Sequence, residues 1–369
     1  MQRDLSALDS LFLERACELA RRGIGSTSPN PPVGAVVAHG DAVAGEGYHH
    51  RAGEPHAEVL ALRQAGSAAR GSTLYVSLEP CNHHGRTPPC TQAVIDAGIA
   101  RVVMGAMDPN PKTAGGGMKR LQEHGIETLL ADLPAAHSIV EQFAHAITSD
   151  RPYVALKMAM SLDGFVAAQQ GKQHWLTGEA ARAFVRELRI AHDAIAVGAG
   201  TVRVDDPQLT VRPPHHRERE YVRVVFCETE PVDPRSKVFA RVPGYAETIV
   251  LAPAGAREKF APLTSIANVR FVGDASSSNL DIAQALRDLR TMGVFSLLCE
   301  GGPTLAGRLL EAAAVDRFYW LVAPAFLRSP GAVPVVNAGS ASGLRDVRID
   351  RVERLENDVL ISGTIAADV

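Results

Sequence analysis

Apolar positions recur at helical spacing from Leu11 to Arg22 and stop at Gly23, and after Pro31-Pro32 the run Val33 to Val37 reads as a short buried strand. Ala57 to Gln64 is again helical and ends at Gly66; Thr73 to Leu78 is a strand, Thr91 to Ala97 a helix closed by Gly98, and Arg101 to Met104 another strand. This alternation predicts helices packed on a largely parallel sheet. A polar stretch from Ala144, broken at Pro152, marks a boundary near Ser149, which divides the chain into domains 1–149 and 150–369. Beyond it, strands are expected at Tyr153 to Met158, Ala194 to Val197, Val222 to Phe226, Thr248 to Leu251 and Phe295 to Cys299, and helices at Gly178 to Ile190 and Leu280 to Met292. Both halves are therefore read as α/β.

A length of 369 residues agrees with two domains, and 46% hydrophobic with 21% charged residues is ordinary globular usage, which excludes disorder as the main state. A net charge of −3 with no long basic run leaves no electrostatic footprint for nucleic acid and favours a small-molecule ligand. The N-terminus lacks an apolar signal core, and the longest apolar run, Phe318 to Leu327, is about half the ~20 residues that span a bilayer. A soluble, cytoplasmic protein without a membrane partner is expected. Five cysteines make no disulfide framework. Cys17, Cys227 and Cys299 sit in apolar segments and read as core. Arg212 to Glu220, rich in proline, histidine and charge, reads as a solvated loop, with a metal site at His215-His216 as the competing reading.

Cys81 and Cys90 have different surroundings. His56-Ala57-Glu58 opens a helix, Pro80-Cys81 follows a strand, and Cys90 immediately precedes the helix expected from Thr91. One imidazole and two thiolates are three zinc ligands, and three protein ligands leave a tetrahedral position open, as in catalytic zinc sites. Both cysteines are placed at helix N-termini, where the macrodipole favours thiolate. Glu58 can face an activated water without ligating and carry its proton to a departing amine. His-x-Glu followed by Pro-Cys and a second Cys is the zinc deaminase signature, although eight residues separate the cysteines here where the common form has two. A structural zinc, or a domain without activity, is the competing reading.

A second constellation is Phe295-Ser-Leu-Leu-Cys-Glu-Gly-Gly-Pro-Thr304, an apolar strand, two glycines and a helix start, which can receive a phosphate or merely make a tight turn. Ile195-Ala-Val-Gly-Ala-Gly-Thr-Val202 lacks the third glycine of the dinucleotide fingerprint. Arg189 and Arg212 flank it and suit an anionic sugar phosphate, or are surface charges.

Here the chain resembles a known family. Ser28-Pro-Asn-Pro-Pro-Val-Gly34, Gly45-Glu-Gly-Tyr-His49, Gly53-Glu-Pro-His-Ala-Glu-Val59, Leu78-Glu-Pro-Cys-Asn-His-His-Gly-Arg-Thr-Pro-Pro-Cys90 and Asp108-Pro-Asn-Pro-Lys112 resemble the deaminase half of the bifunctional riboflavin-biosynthesis deaminase/reductases. The long insert between the cysteines belongs to that pattern. The resemblance implies an N-terminal cytidine-deaminase-like α/β/α domain acting on a phosphorylated pyrimidine, diaminohydroxyphosphoribosylaminopyrimidine, with Asn30, His49, Arg86, Asp108 and Asn110 lining its pocket. Arg151-Pro-Tyr-Val-Ala-Leu-Lys157, Ser161-Leu-Asp-Gly164, Trp175-Leu-Thr-Gly178, Gly200-Thr-Val202, Asp205-Asp-Pro-Gln-Leu-Thr-Val-Arg212 and Glu300-Gly-Gly-Pro-Thr304 resemble the reductase half. This implies a C-terminal dihydrofolate-reductase-like α/β domain that uses NADPH to reduce the ribosyl side chain to ribityl. By the same resemblance, Ala159, Trp175, Thr201, Asp205, Gly302, Pro303 and Thr304 would hold NADPH, and Gln173, Arg189, Leu209, Arg212 and Glu300 the substrate. Hydride transfer depends on orientation more than on a charged catalyst, so Lys157 and Asp163 are only residual candidates for an acid or base. A homo-oligomer, dimer or tetramer, is also implied. Gln173, Leu327-Arg328-Ser329 and Cys227-Glu228-Thr229 depart from the family pattern. Two other classes compete: a nucleic-acid base deaminase, disfavoured by the charge and by only 5% aromatic residues, and a metal-stabilised scaffold that only binds ligands.

Overall fold

The first helix, α1 (Ala7–Arg21), starts where Ser6 Oγ accepts the Asp9 N–H and the Asp9 carboxylate accepts the Ser6 N–H, a reciprocal cap. The computed structural model describes residues 5–83, 88–169, 171, 176–215, 217–337 and 346–365. The chain divides into two units, Met1–Ser149 and Asp150–Val369.

In the first unit, α1 is followed by β1 (Gly34–His39), β2 (Ala42–Tyr48), α2 (Ala57–Ala65), β3 (Thr73–Val76), α3 (Cys90–Asp96), β4 (Arg101–Met104), α4 (Gly116–Glu123), β5 (Glu127–Leu130) and α5 (Pro134–Thr148). The sheet order is β2-β1-β3-β4-β5. Strands β3, β4 and β5 are parallel, but β1 runs antiparallel to both β2 and β3. The largely parallel sheet expected from the alternation is thus a mixed one. For β2 the physical reason is the two-residue connection Gly40-Asp41, with Gly40 at φ +63°, which is too short for a crossover and allows only a hairpin with β1. Alternation along β1 divides the core. Val36 and Ala38 pack with Phe12, Leu13 and Ala16 of α1, while Ala35 and Val37 pack with Ala57 and Ala61 of α2 and Val94 of α3. This is the α/β/α layering.

The second unit contains β6 (Tyr153–Ser161), β7 (Phe165–Ala167), α6 (Glu179–Ala191), β8 (Ala194–Gly198), α7 (Ala199–Asp205), β9 (Val222–Phe226), β10 (Ile249–Pro253), α8 (Arg257–Phe260), β11 (Asn268–Val272), α9 (Ile282–Thr291), β12 (Ser296–Cys299), α10 (Pro303–Glu311), β13 (Arg317–Ala323), β14 (Val333–Pro334), β15 (Val347–Leu355) and β16 (Asp358–Ile365). Nine strands form one sheet in the order β11-β10-β9-β8-β12-β6-β13-β16-β15. The pairings from β11 to β13 are all parallel; β16 and β15 add an antiparallel hairpin at the edge. Val154, Leu156 and Met158 of β6 join the core under α9 and α10, and Tyr153 and Ala155 pack with Ala181, Phe184 and Leu188 of α6. Cys17, Cys227 and Cys299 are buried core residues, as read from their segments. Among the described residues no helix is long and apolar enough to cross a membrane.

Candidate active sites

The β2 strand carries glycines where α2 crosses it. A Cβ built on Gly45 would lie 2.3 Å from Ala61 O, and one on Gly47 would lie 2.7 Å from Ala57 O, so the helix that carries His56 and Glu58 sits directly on the strand backbone. His56 is the N-cap of α2 in extended conformation, and its side chain makes no capping hydrogen bond. Cys90 is the first residue of α3. Cys81 is not at a helix N-terminus in sequence, as expected, but in the irregular segment after β3. Its Sγ reaches one in space, because the Cys90 N–H donates to Cys81 Sγ at 3.3 Å.

His56 Nδ1 lies 3.1 Å from Cys90 Sγ and 3.6 Å from Cys81 Sγ, and the three ligand atoms all fall within 4.8 Å of one another. No other group of three His, Cys, Asp or Glu side chains among the described residues is so arranged. The two thiols share a proton: the Cys90 thiol donates to Cys81 and draws its pKa down, while the same contact and burial push Cys90 up. A dication accepting one imidazole and two sulfurs would displace that proton, so the donor set fits zinc. Glu58 is buried in the first turn of α2, hydrogen-bonds Cys90, and is raised to about 7 chiefly by desolvation.

His49 packs edge-on against His56, with ring centroids 5.0 Å apart. Its Nδ1 faces Pro55 O at 3.3 Å and its Nε2 faces Asn30 Nδ2 at 3.2 Å. A carbonyl only accepts, so Nδ1 carries the hydrogen; burial lowers the ring's pKa, and the neutral Nε2 accepts from Asn30. The Asp108 carboxylate accepts the Asn110 N–H and the Thr113 hydroxyl, which folds the turn 108–113, and Asn110 Oδ1 accepts the Lys112 N–H. Arg86 lies outside the described residues. Sequence reading missed Glu79, next to the ligand loop. Its buried carboxylate accepts the N–H groups of Asp108, Gly115 and Met118. Its signal was a charged residue between a buried strand and Pro80, where a carboxylate needs partners.

In the second unit a cavity of about 890 Å³ is lined by Lys157, Ala159, Arg189, Thr201, Asp205, Leu209, Arg212, Glu300, Gly302, Pro303 and Thr304 among others. Every described reductase residue singled out by the resemblance is there; Gln173 and Trp175 lie outside the described residues. A Cβ on Gly302, the N-cap of α10, would come 2.9 Å from Thr201 Oγ1, so the glycine lets α7 and the start of α10 approach closely at the cavity wall. Open backbone at the start of α10 fits the phosphates of a dinucleotide. Arg189 is not a free phosphate donor: Nε and Nη2 hold Glu300 at 2.5 and 2.8 Å, and Nη1 donates to Thr210 O. Burial opposes both charges, but Arg189 keeps Glu300 ionised below its usual pKa. Arg212, exposed and bonded to Gln208 and Thr210, and Arg186, whose buried Nε has no hydrogen-bond partner, are further guanidinium groups of the lining. Leu209, buried at φ +54°, occupies the left-handed region that bulky side chains rarely adopt. Lys157 is lowered by burial against the field of Glu300. Asp163 is elsewhere: half-buried, it accepts the Ser161 hydroxyl and the N–H groups of Leu327 and Arg328, which fastens a turn. His215 bonds the Tyr221 hydroxyl, and His216 lies outside the described residues.

A family model described as the RibD C-terminal domain matches residues 152–361, and one for the cytidine and deoxycytidylate deaminase zinc-binding region matches residues 6–106. The riboflavin biosynthesis protein RibD of Escherichia coli is 40% identical over 336 residues, 87% of this chain and 89% of that protein. The chain belongs to the RibD family. RibD of Aquifex aeolicus is 37% identical, covering 96% of this chain and 98% of its own. RibD of Acinetobacter baumannii superposes with a TM-score of 0.83 at 34% identity, over 98% of this chain and 99% of that one. A Thermotoga maritima structure described as a diaminohydroxyphosphoribosylaminopyrimidine deaminase/5-amino-6-(5-phosphoribosylamino)uracil reductase gives 0.81 at 33% identity, over 97% and 99%. The RibD fold, a cytidine-deaminase-like zinc domain followed by a reductase domain, is the one expected from the motifs, and zinc and NADPH are its cofactors.

Proposed function

We propose that this chain performs two consecutive steps of riboflavin biosynthesis: hydrolytic deamination of diaminohydroxyphosphoribosylaminopyrimidine, then NADPH-dependent reduction of its ribosyl side chain to ribityl. The observation that carries the reading is the presence in one chain of the His56, Cys81, Cys90 cluster beside buried Glu58 and of a glycine-walled cavity lined by cations. His56, Cys81 and Cys90 hold zinc, which when bound supplies the Lewis acidity that makes water nucleophilic near neutral pH. Glu58, fixed by the first turn of α2 and shut from solvent, takes a proton from the attacking water and returns it to the departing amine, so that ammonia leaves and a ring carbonyl remains. Asn30 and the neutral His49 form one wall of the pyrimidine pocket, and the turn Asp108 to Thr113 with Asn110 forms another. Arg86 serves the phosphate.

In the reductase half, NADPH when bound supplies the hydride. Gly302, Pro303 and Thr304 at the start of α10 take its phosphates, and Ala159, Thr201 and Asp205 its remaining length, with Trp175. Arg212 meets the substrate phosphate; Arg189 and Glu300, locked to each other, shape the wall beside Leu209, and Gln173 is a further substrate residue by the family resemblance. Lys157 rather than Asp163 provides the proton that balances hydride addition, since it lines the cavity and burial eases its deprotonation.

The substrate is a small phosphorylated pyrimidine, not a nucleic acid, and the enzyme works in the cytoplasm as a homo-oligomer; the exposed edge strand β15 supports self-association. Mass spectrometry of the substrate with zinc-loaded enzyme tests the reading. Exchange of the amino group for oxygen without NADPH, followed by a gain of two hydrogens only with it, is expected. No change in either tube would overturn it in favour of a ligand-binding scaffold.

A further inference from the structure

Cys81 is held by a segment that is itself clamped on both sides to the start of α4. On one side the buried carboxylate of Glu79 accepts three backbone N–H groups: Met118 at 2.9 Å on Oε1, and Gly115 at 2.9 Å and Asp108 at 3.2 Å on Oε2. Gly115 is the N-cap of α4 and carries no capping side chain, so Glu79 supplies from a distance the cap that the helix lacks. On the other side Asn82 donates to Gly116 O and accepts from the Thr91 hydroxyl on α3. Between them, Gly117 approaches so closely that a Cβ there would stand 2.1 Å from Pro80 O.

The carboxylate thus ties together the ligand loop, the helix behind it and the turn 108–113. None of these bonds touches a ligand atom, and those of Glu79 go to backbone N–H groups of residues 108 to 118 rather than to α3. We propose that Glu79 is the positioning residue of the deaminase centre: it fixes where Cys81 Sγ stands and, through Asp108, where the pocket turn stands. Its role for the turn rests on the proposed pyrimidine pocket; its role for Cys81 does not. An amide cannot substitute, because Gln presents N–H2 to backbone N–H groups on one side. Groups hydrogen-bonded directly to metal ligands change metal affinity or activity about 10- to 100-fold when lost, and Glu79, which acts through the backbone of the ligand loop, is expected at the low end of that range.

The test compares wild type, Glu79→Gln, Glu79→Asp and Asn82→Ala as full-length zinc-loaded chains. Zinc release to a chromogenic chelator is followed without substrate, and deaminase KM and kcat are measured separately, with reductase turnover as the control for folding. Glu79→Gln is expected to release zinc about 10-fold faster and to raise KM, with reductase turnover unchanged. Glu79→Asp should recover part of both effects, and Asn82→Ala, at an exposed position, should accelerate release without raising KM. A wild-type release rate in Glu79→Gln would overturn the proposal whatever Asn82→Ala does, and so would a loss of reductase turnover in parallel, which would mark a merely structural residue. If no variant or wild type turns over the pyrimidine while release rates still separate, the substrate reading fails and the clamp stands.

Discussion

At the scale of single residues the two chemistries are separable. Glu58 contacts Cys90 and lies in the first turn of α2, whereas Lys157 and Glu300 belong to the other unit. Glu58→Gln keeps shape and burial but removes the proton carrier, so deamination should fall by roughly 10² or more with zinc content and reduction of pre-deaminated substrate retained. Loss of both activities, by coupled assays on the two substrates, would refute separate sites. The zinc centre was legible because His56, Glu58, Cys81 and Cys90 are chemically unusual in their contexts. Glu79 was not, since its partners are backbone N–H groups from residues 108 to 118, which no side-chain pattern announces. His192 carries a pH effect. Buried with Nδ1 on Leu188 O, it is lowered to about 4, chiefly by desolvation. The folded state refuses a proton that the unfolded chain takes near pH 6.5, so stability is full above that pH and declines as pH falls from about 6.5 towards 4. The decline should be roughly 3 kcal/mol in all. Denaturant midpoints at pH 7.5 and 5 should differ in wild type and differ less in His192→Gln; equal slopes would exclude His192 as the source.

At the scale of elements, the periodic helices and the β-branched strands were readable, as at Val222 to Phe226, where expectation and structure coincide. Strand β2 was missed because Ala42–Tyr48 contains two glycines, which weaken any strand signal. Their reason is tertiary: Gly45 and Gly47 leave room for the backbone of α2. The β15 and β16 hairpin was missed because β15 carries charges at both parities and buries none of its residues. The close approach predicts the outcome of Gly47→Ala. Its Cβ would stand 2.7 Å from both Ala57 O and Leu60 Cβ, so the first turn of α2 must shift. Overpacking of this kind costs about 1–3 kcal/mol, and His56 and Glu58 ride on the displaced turn. Zinc affinity and deaminase kcat should both drop, while Gly200→Ala, in the other unit and in helix α7, where a Cβ meets nothing, should leave zinc affinity unchanged. Unaltered zinc affinity in Gly47→Ala, by chelator competition, would show that α2 is not set by this contact.

For the molecule as a whole, the sheet of the second unit ends in a strand bonded on one side only. Eight of the nine residues of β15 pair with β16, Asp350 being passed over at a bulge, and among the described residues no strand lies beyond β15. Edge strands of soluble proteins are usually short, covered or interrupted, because a long one templates pairing. Here the edge is nine residues long, interrupted once by the bulge at Asp350, and presents Val347, Ile349 and Val352 at 49, 53 and 67% exposure. It also carries Arg348, Asp350, Arg351, Glu353 and Arg354, both signs on one strand, so an antiparallel second copy meets opposite as well as like charges. A two-fold pairing of this edge uses the same patch on both copies and closes, which stops the sheet from growing further. The proposed homo-oligomer is therefore expected to be built on β15. Light scattering coupled to size-exclusion chromatography should give at least a dimer for wild type. Ile349→Lys combined with Val352→Lys should shift it to monomer at micromolar concentration, because four added charges would face one another across the two-fold. A monomeric wild type would remove the assembly, and an unchanged oligomer in the double variant would place its interface elsewhere on the chain.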